Sequence, residues 1–205
     1  SVIQTEGDPD KVRNIFVRIN STGAPLTDGE ILNAKYLKTP LFEQIRDFAA
    51  DRKIAARLMR MGVVNDSKKN RRADVLILAE IIMSRVKDGL LDKKRALDEM
   101  LNEKAKRLTI RDVKPHLTSV AKAIEWAERI WQSDGRDGLK FSESRFKKTS
   151  DFYSLVVLLS SYIDSKFITD NREANRYAKR ELLRIDNELR RYRVKVQCGE
   201  SVKAV

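Results

Sequence analysis

Apolar residues recur along most of this chain at helical spacing, three or four positions apart, with polar punctuation between the runs. Ser1 to Glu6, with Val2 and Ile3 and no helical pattern, reads as one short strand. Asp8-Pro9 starts a helix, because Asp8 can cap free amides and Pro9 suits the first helical position. Val12, Ile15, Phe16 and Ile19 form its apolar face, and the run Asn20 to Pro25 stops it. Thr27 to Glu30 spells a capping box that opens a second helix through about Lys38. Pro40 begins a third, with Leu41, Ile45, Phe48 and Ala49 on one face, predicted to reach Gly62. The polar stretch 65–70 reads as a loop.

The spacing then predicts a helix over 71–87. Its centre, Val75 to Met83, is apolar on nearly every side, which places it in the middle of a bundle. An amphipathic helix follows over 92–106. Asp112 caps the next, with Pro115 in its first turn and an end near Gln132. Ser133 to Gly138 is a turn. Thr149, Ser150 or Asp151 caps a compact apolar helix to Tyr162, and an arginine-rich helix covers about 170–193. The tail after Cys198 has no pattern. The expected fold is mostly α: an irregular bundle of seven to eight helices with one short N-terminal strand. The apolar faces are wider than a coiled-coil seam. A break near 63–70 separates an N-terminal region, 1–62, from a helical body, 63–195, and a tail, 196–205, although one core could span the break.

Composition narrows the classes. The 205 residues are 41% hydrophobic and 35% charged, enough apolar matter for a core. A single Cys excludes a disulfide scaffold or a Cys-based zinc cluster, and a single His excludes two-His metal motifs. The longest apolar run, Leu155 to Leu159, is far short of a membrane span. No secretory leader opens the chain, so a cytoplasmic location is expected, and the absence of an initiator Met points to a piece of something longer. Lys and Arg number 42 against 30 Asp and Glu, a net charge of +12. That surplus suits a polyanionic partner, DNA, RNA or a nucleotide. It also suits a helical domain that is merely basic.

The stretch Ile15-Phe16-Val17-Arg18-Ile19-Asn20-Ser21-Thr22-Gly23-Ala24-Pro25-Leu26-Thr27-Asp28-Gly29-Glu30 carries the most chemistry. It reads as a helix, a tight polar loop and a second capped helix. Gly23 permits a sharp reversal, and Asn20, Ser21 and Thr22 bond local amides or reach a ligand. The second helix gathers free N–H groups suited to an anion, with Arg18 adding charge. The competing reading is an ordinary helix-loop-helix with good caps.

This stretch resembles a signature of the GmrSD-type family of bacterial unknown-function domains, of rough form Phe-x-Arg-x-Asn-x-x-Gly-x-x-Leu-(Ser/Thr)-x-x-Glu. Phe16, Arg18, Asn20, Gly23, Leu26, Thr27 and Glu30 supply every position. Arg71-Arg72-Ala73-Asp74 and Arg145 to Tyr153 also look like that family, so the likeness covers about 20–160. It implies a role in defence systems that restrict modified DNA. It also implies a ParB/sulfiredoxin-like α/β subdomain with an Asp-Gly-Gln-Gln-Arg motif upstream of Ser1, and in many members an HNH-type nuclease domain. Neither that motif nor the histidines of such a nuclease occur here. The chain therefore looks like the end of the ParB-like region, 1–62, followed by the helical body.

The resemblance makes Arg18, Asn20, Thr22 and Gly23 candidates for a phosphate or nucleotide pocket. No cofactor is assigned to this chain itself; an NTP with Mg belongs to the longer protein, and no catalytic residue is assigned. Phe16 reads as core and Glu30 as a capping residue. The candidate nucleic-acid surface comprises Lys68, Lys69, Arg71 and Arg72; Arg145, Lys147 and Lys148; and, in the last helix, Arg176, Lys179, Arg180 and Arg184, which with Arg172 form a basic stripe. Tyr177 and Tyr192 could stack on bases if exposed. The alternative for that stripe is a solvated face laced with i,i+4 ion pairs. His116 reads as a structural histidine, Cys198 as a tail residue without a catalytic partner, and at least one of Trp126 and Trp131 as core. Two functions follow: the helical part of a nucleotide-dependent DNA-defence effector, with DNA as partner, or a non-enzymatic helical scaffold.

Overall fold

The protein is described by a computed structural model covering residues 25–91, 94–104, 108–134, 139–165 and 171–197. All regular structure among these residues is helical. The helices are α1 (Asp28–Tyr36), α2 (Pro40–Ala50), α3 (Arg52–Arg60), α4 (Asp66–Asn70), α5 (Ala73–Lys87), α6 (Lys94–Lys104), α7 (Ile110–Gln132), α8 (Thr149–Ser165) and α9 (Arg172–Gln197). Two single-turn 3₁₀ helices, Phe141–Glu143 and Arg145–Lys147, precede α8. The mostly-α expectation holds. The strand expected at 1–6, the helix opened by Pro9 and the tail after Cys198 lie outside the described residues.

Local chemistry sets the boundaries. Thr27 and Glu30 form the expected capping box, with the Thr27 amide donating to Glu30 Oε2 at 2.7 Å. Pro40 occupies the start of α2. The single helix expected from Pro40 to Gly62 is two, because Asp51 leaves helical geometry with ψ 128°. Its carboxylate accepts from the amides of Lys53 and Ile54 at 2.9 and 3.1 Å and so caps α3. The expected loop at 65–70 folds into the short α4, capped by Asn65, whose Oδ1 accepts from the Lys68 amide at 2.9 Å. Thr109 caps α7 with Asp112 as its box partner, so Pro115 falls in the second turn and not the first. α8 begins at Thr149 and runs to Ser165, past the expected Tyr162.

α5 is the central element. Val75, Ile77, Leu78, Ala79, Ile81, Ile82 and Met83 are all buried, as the all-round apolar pattern predicts. It packs against α1, α2, α7 and α8, and α7 and α8 pack against each other. One apolar cluster runs from Leu32 to Leu159, across the break at 63, with Phe42, Ile45, Leu58, Leu101, Ile124, Phe152 and Val156 among its members. Trp126 and Trp131 are both buried. The Trp131 ring meets Phe141 and Phe146 edge-on at 4.7 and 5.4 Å, which explains the 3₁₀ turns: they tuck two phenylalanines under the end of α7.

Two polar latches tie the helices. Tyr36 and Lys35 of α1 both bond Asp98 of α6, at 2.8 Å in each case. Burial and the adjoining carboxylate push the Tyr36 phenol upward, so it stays neutral. Arg85 of α5 donates to Ser161 and Asp164 of α8 at 2.7 and 2.8 Å, and Ser119 of α7 bonds the same carboxylate. His116 stands near this group. Burial, then the Arg85 charge, hold its imidazole below the ordinary value and favour the neutral ring.

Candidate nucleic-acid interface

Arg18, Asn20, Thr22 and Gly23 lie outside the described residues. The described residues begin at Pro25, just ahead of α1, and their contacts join two stretches that the sequence singles out separately. The Arg71 guanidinium donates to the Pro25 carbonyl at 2.6 Å and lies 3.1 Å from Glu30 Oε2. The Thr27 hydroxyl, with one proton to give, sits 2.8 Å from Glu30 Oε2 and 2.9 Å from the Arg71 carbonyl oxygen. The Thr27 amide, then its hydroxyl, and also Arg71, hold the Glu30 carboxyl below its usual range. A Cβ on Gly29 would stand 2.4 Å from the Arg72 carbonyl oxygen, so the approach of α1 to the start of α5 requires a glycine. Arg72 itself takes a left-handed φ of 60°, which turns the chain between α4 and α5. Residues 25–30 of the first motif stretch and Arg71-Arg72 of the second are thus one built joint.

This joint consumes part of the first basic cluster. Arg71 is committed to Pro25 and Glu30, and Lys68 reaches the Val63 carbonyl at 3.1 Å. Lys69 and Arg72 are exposed. In the second cluster Arg145 is a strut: its guanidinium grips Asp151 through two bonds of 3.0 and 2.9 Å, and the side chain is largely buried. That pair, led by the hydrogen bonds to Asp151, raises the arginine's hold on its proton. Asp151, one of three residues expected to cap α8, is spent on it. Lys147 and Lys148 remain exposed.

α9 divides into two faces. Lys179, placed by sequence in the basic stripe, is only 1% exposed. Its Nζ donates to the Trp131 carbonyl at 3.1 Å and lies 3.0 Å from Asp134 Oδ2, so it anchors α9 to the end of α7 and does not face solvent. Asn175 joins it, accepting from the Trp126 indole N–H at 2.6 Å, and Asp186 is buried with its carboxylate bonded by Arg190. The opposite face carries Arg176, Arg180 and Arg184, all exposed. Arg176 bonds the Ser133 carbonyl at 3.3 Å. Arg180 lies over the Tyr177 ring, 5.6 Å from its centroid, and Tyr177 is 59% exposed. Arg184 pairs with Glu181 and Glu188 at 2.9 and 3.0 Å, the intrahelical lacing that was the alternative reading. These side chains border a shallow open groove of about 820 Å³ that also takes in Glu173, Asp134 and Arg191.

The sequence reading missed Asp134 as the partner of Lys179 and Asp151 as the partner of Arg145. Both acids follow or precede turns, where spacing along a helix gives no signal. Among the described residues no cluster of three or more His, Cys, Asp or Glu side chains could hold a metal ion. No described helix is long and apolar enough to cross a membrane. No protein-family model, curated protein or solved structure matches this chain.

Proposed function

We propose that this chain is the helical part of a larger nucleotide-dependent DNA-defence effector, and that it docks the phosphate backbone of DNA along the exposed face of α9. One observation carries the reading: Arg176, Arg180 and Arg184 stand four residues apart on the solvent side of a single helix, with Tyr177 beside them. Successive steps of four rise about 6 Å along the axis, so the row spans roughly 12 Å. One strand of duplex DNA presents a phosphate about every 3.4 Å of axis, so a row of that length faces roughly three to four phosphates. Such contacts position a protein on DNA without reading sequence. The exposed Lys69, Arg72, Lys147 and Lys148 add to the positive field of a chain carrying +12. The pocket assigned by resemblance to Arg18, Asn20, Thr22 and Gly23, the upstream ParB-like subdomain and an HNH-type partner complete this reading.

The test is fluorescence anisotropy with a labelled duplex over a salt series. Three phosphate contacts give a slope of log affinity against log salt of about −2.7, by the usual 0.9 per contact. Arg176→Ala with Arg180→Ala and Arg184→Ala removes most of that slope. Binding that is absent at low salt, or whose slope survives the triple substitution, refutes the interface. The scaffold reading has one observation in its favour: Arg184 is already saturated by Glu181 and Glu188.

A further inference from the structure

Tyr177 is the most exposed aromatic side chain among the described residues. Both tryptophans are buried, and the Tyr36 and Tyr153 hydroxyls are tied to the body through Asp98, Ser84 and Leu91. Nothing in the core calls for a ring at 177. It stands within the arginine row of α9, next to Arg176 and three residues before Arg180. Positions three apart share one side of a helix, so the ring and the Arg180 guanidinium above it form one platform on the groove. The charges of the row are not equivalent. Arg184 is paired with Glu181 and Glu188, and Arg176 stands 4.0 Å from Asp134. Among the described residues no carboxylate pairs with Arg180, the arginine that covers the ring. A platform of this kind is more than backbone tracking needs, because guanidinia alone hold phosphates. What an aromatic face beside an uncompensated guanidinium fits is the face of an unstacked base. In a duplex each base is covered above and below by its neighbours, so a ring on the outside of a helix meets only sugar and phosphate. In a single strand the bases are free to turn onto it.

We infer that this platform takes an unpaired base: the α9 face binds single-stranded DNA, with phosphates on the arginine row and one base stacked on Tyr177. The inference rests on the phosphate-docking reading above and adds to it the class of DNA that the face selects. Arg180 serves both parts, since its charge meets the backbone while its plane and the ring meet the base. Glu173, one turn before the ring, is the acidic end of the groove, so the strand's charge lies on the Arg180 side of Tyr177.

Anisotropy with three labelled probes of equal length reads the result: a duplex, one of its strands alone, and an abasic strand that keeps the phosphates and lacks the bases. For the single strand, three phosphate contacts give a salt slope of about −2.1, by 0.7 per contact. Tyr177→Ala lowers single-strand affinity roughly 5- to 150-fold, the factor for one stacked base, and leaves that slope and the duplex affinity unchanged. Tyr177→Phe keeps the affinity, because the ring stacks and the hydroxyl does not. The abasic strand binds the unaltered chain as weakly as the intact strand binds the alanine variant. An unchanged single-strand affinity in Tyr177→Ala, an equal loss on the duplex, or an abasic strand that binds as well as the intact one overturns the stacking, while the arginine row still stands on its own salt series. Binding to none of the three probes at low salt removes the phosphate docking and the stacking with it.

Discussion

α5 and α9 are both long helices, and they bury opposite chemistry. α5 turns aliphatic side chains to the core on nearly every side. α9 turns Asn175, Lys179 and Asp186 inward and leaves Ile185 and Leu189 partly in water. The first is held by transfer of apolar surface from water and by shape, forces without direction that many neighbours share. The second is held by a few directional bonds, Trp126 to Asn175 and Lys179 to the Trp131 carbonyl and Asp134. Removing either acceptor would leave a buried polar group without its partner, which is costly in the interior. α5 should therefore fail globally, and α9 locally.

The largest effect is expected from α5. Leu78→Ala leaves a cavity at a fully buried position and lowers unfolding free energy by about 2–5 kcal/mol in urea titration, with one cooperative transition. An intermediate effect comes from the α9 anchor. Asp134→Asn removes the counter-charge of Lys179 and costs about 1–2 kcal/mol, held low because Asp134 is itself partly exposed. Hydrogen exchange locates that loss: α9 amides should exchange faster while α5 amides keep their protection. Equal acceleration in both helices would erase the contrast.

The smallest effect tests how α5 is joined to α1. The Glu30 carboxyl is held below its usual 4.5 in the folded chain. Its contribution is present above that value and is lost as pH falls through the lower folded one. Glu30→Gln should flatten the acid end of a stability-against-pH curve and leave the neutral limb nearly parallel. The effect is modest because solvent screens the site.

Much of the helical order was legible because the information is local. The capping box at Thr27, Pro40 at a helix start and the unbroken apolar centre of α5 are all written within a few residues of where they act. Asp51 was misread because the apolar spacing continues through it from Phe48 to Ile54, and only its cap geometry reveals the break. Lys179 was misread for another reason. Spacing puts it beside Arg176 and Arg180, yet the face it occupies is decided by Asp134 and the Trp131 carbonyl, more than forty residues away. Charged residues at helical spacing describe a surface only if nothing distant claims them. Arg145 makes the same point over six residues, where a 3₁₀ turn folds it back onto Asp151.

The clasp of Arg71 on Pro25 has a mechanical corollary. Its guanidinium holds the Pro25 carbonyl just ahead of α1, and its own backbone leads within two residues into the most deeply embedded helix. A displacement at Pro25 is thus passed through the Arg71 side chain towards the centre of the body. A partner that engages the chain at Pro25 therefore acts on α5 directly, through a single side chain.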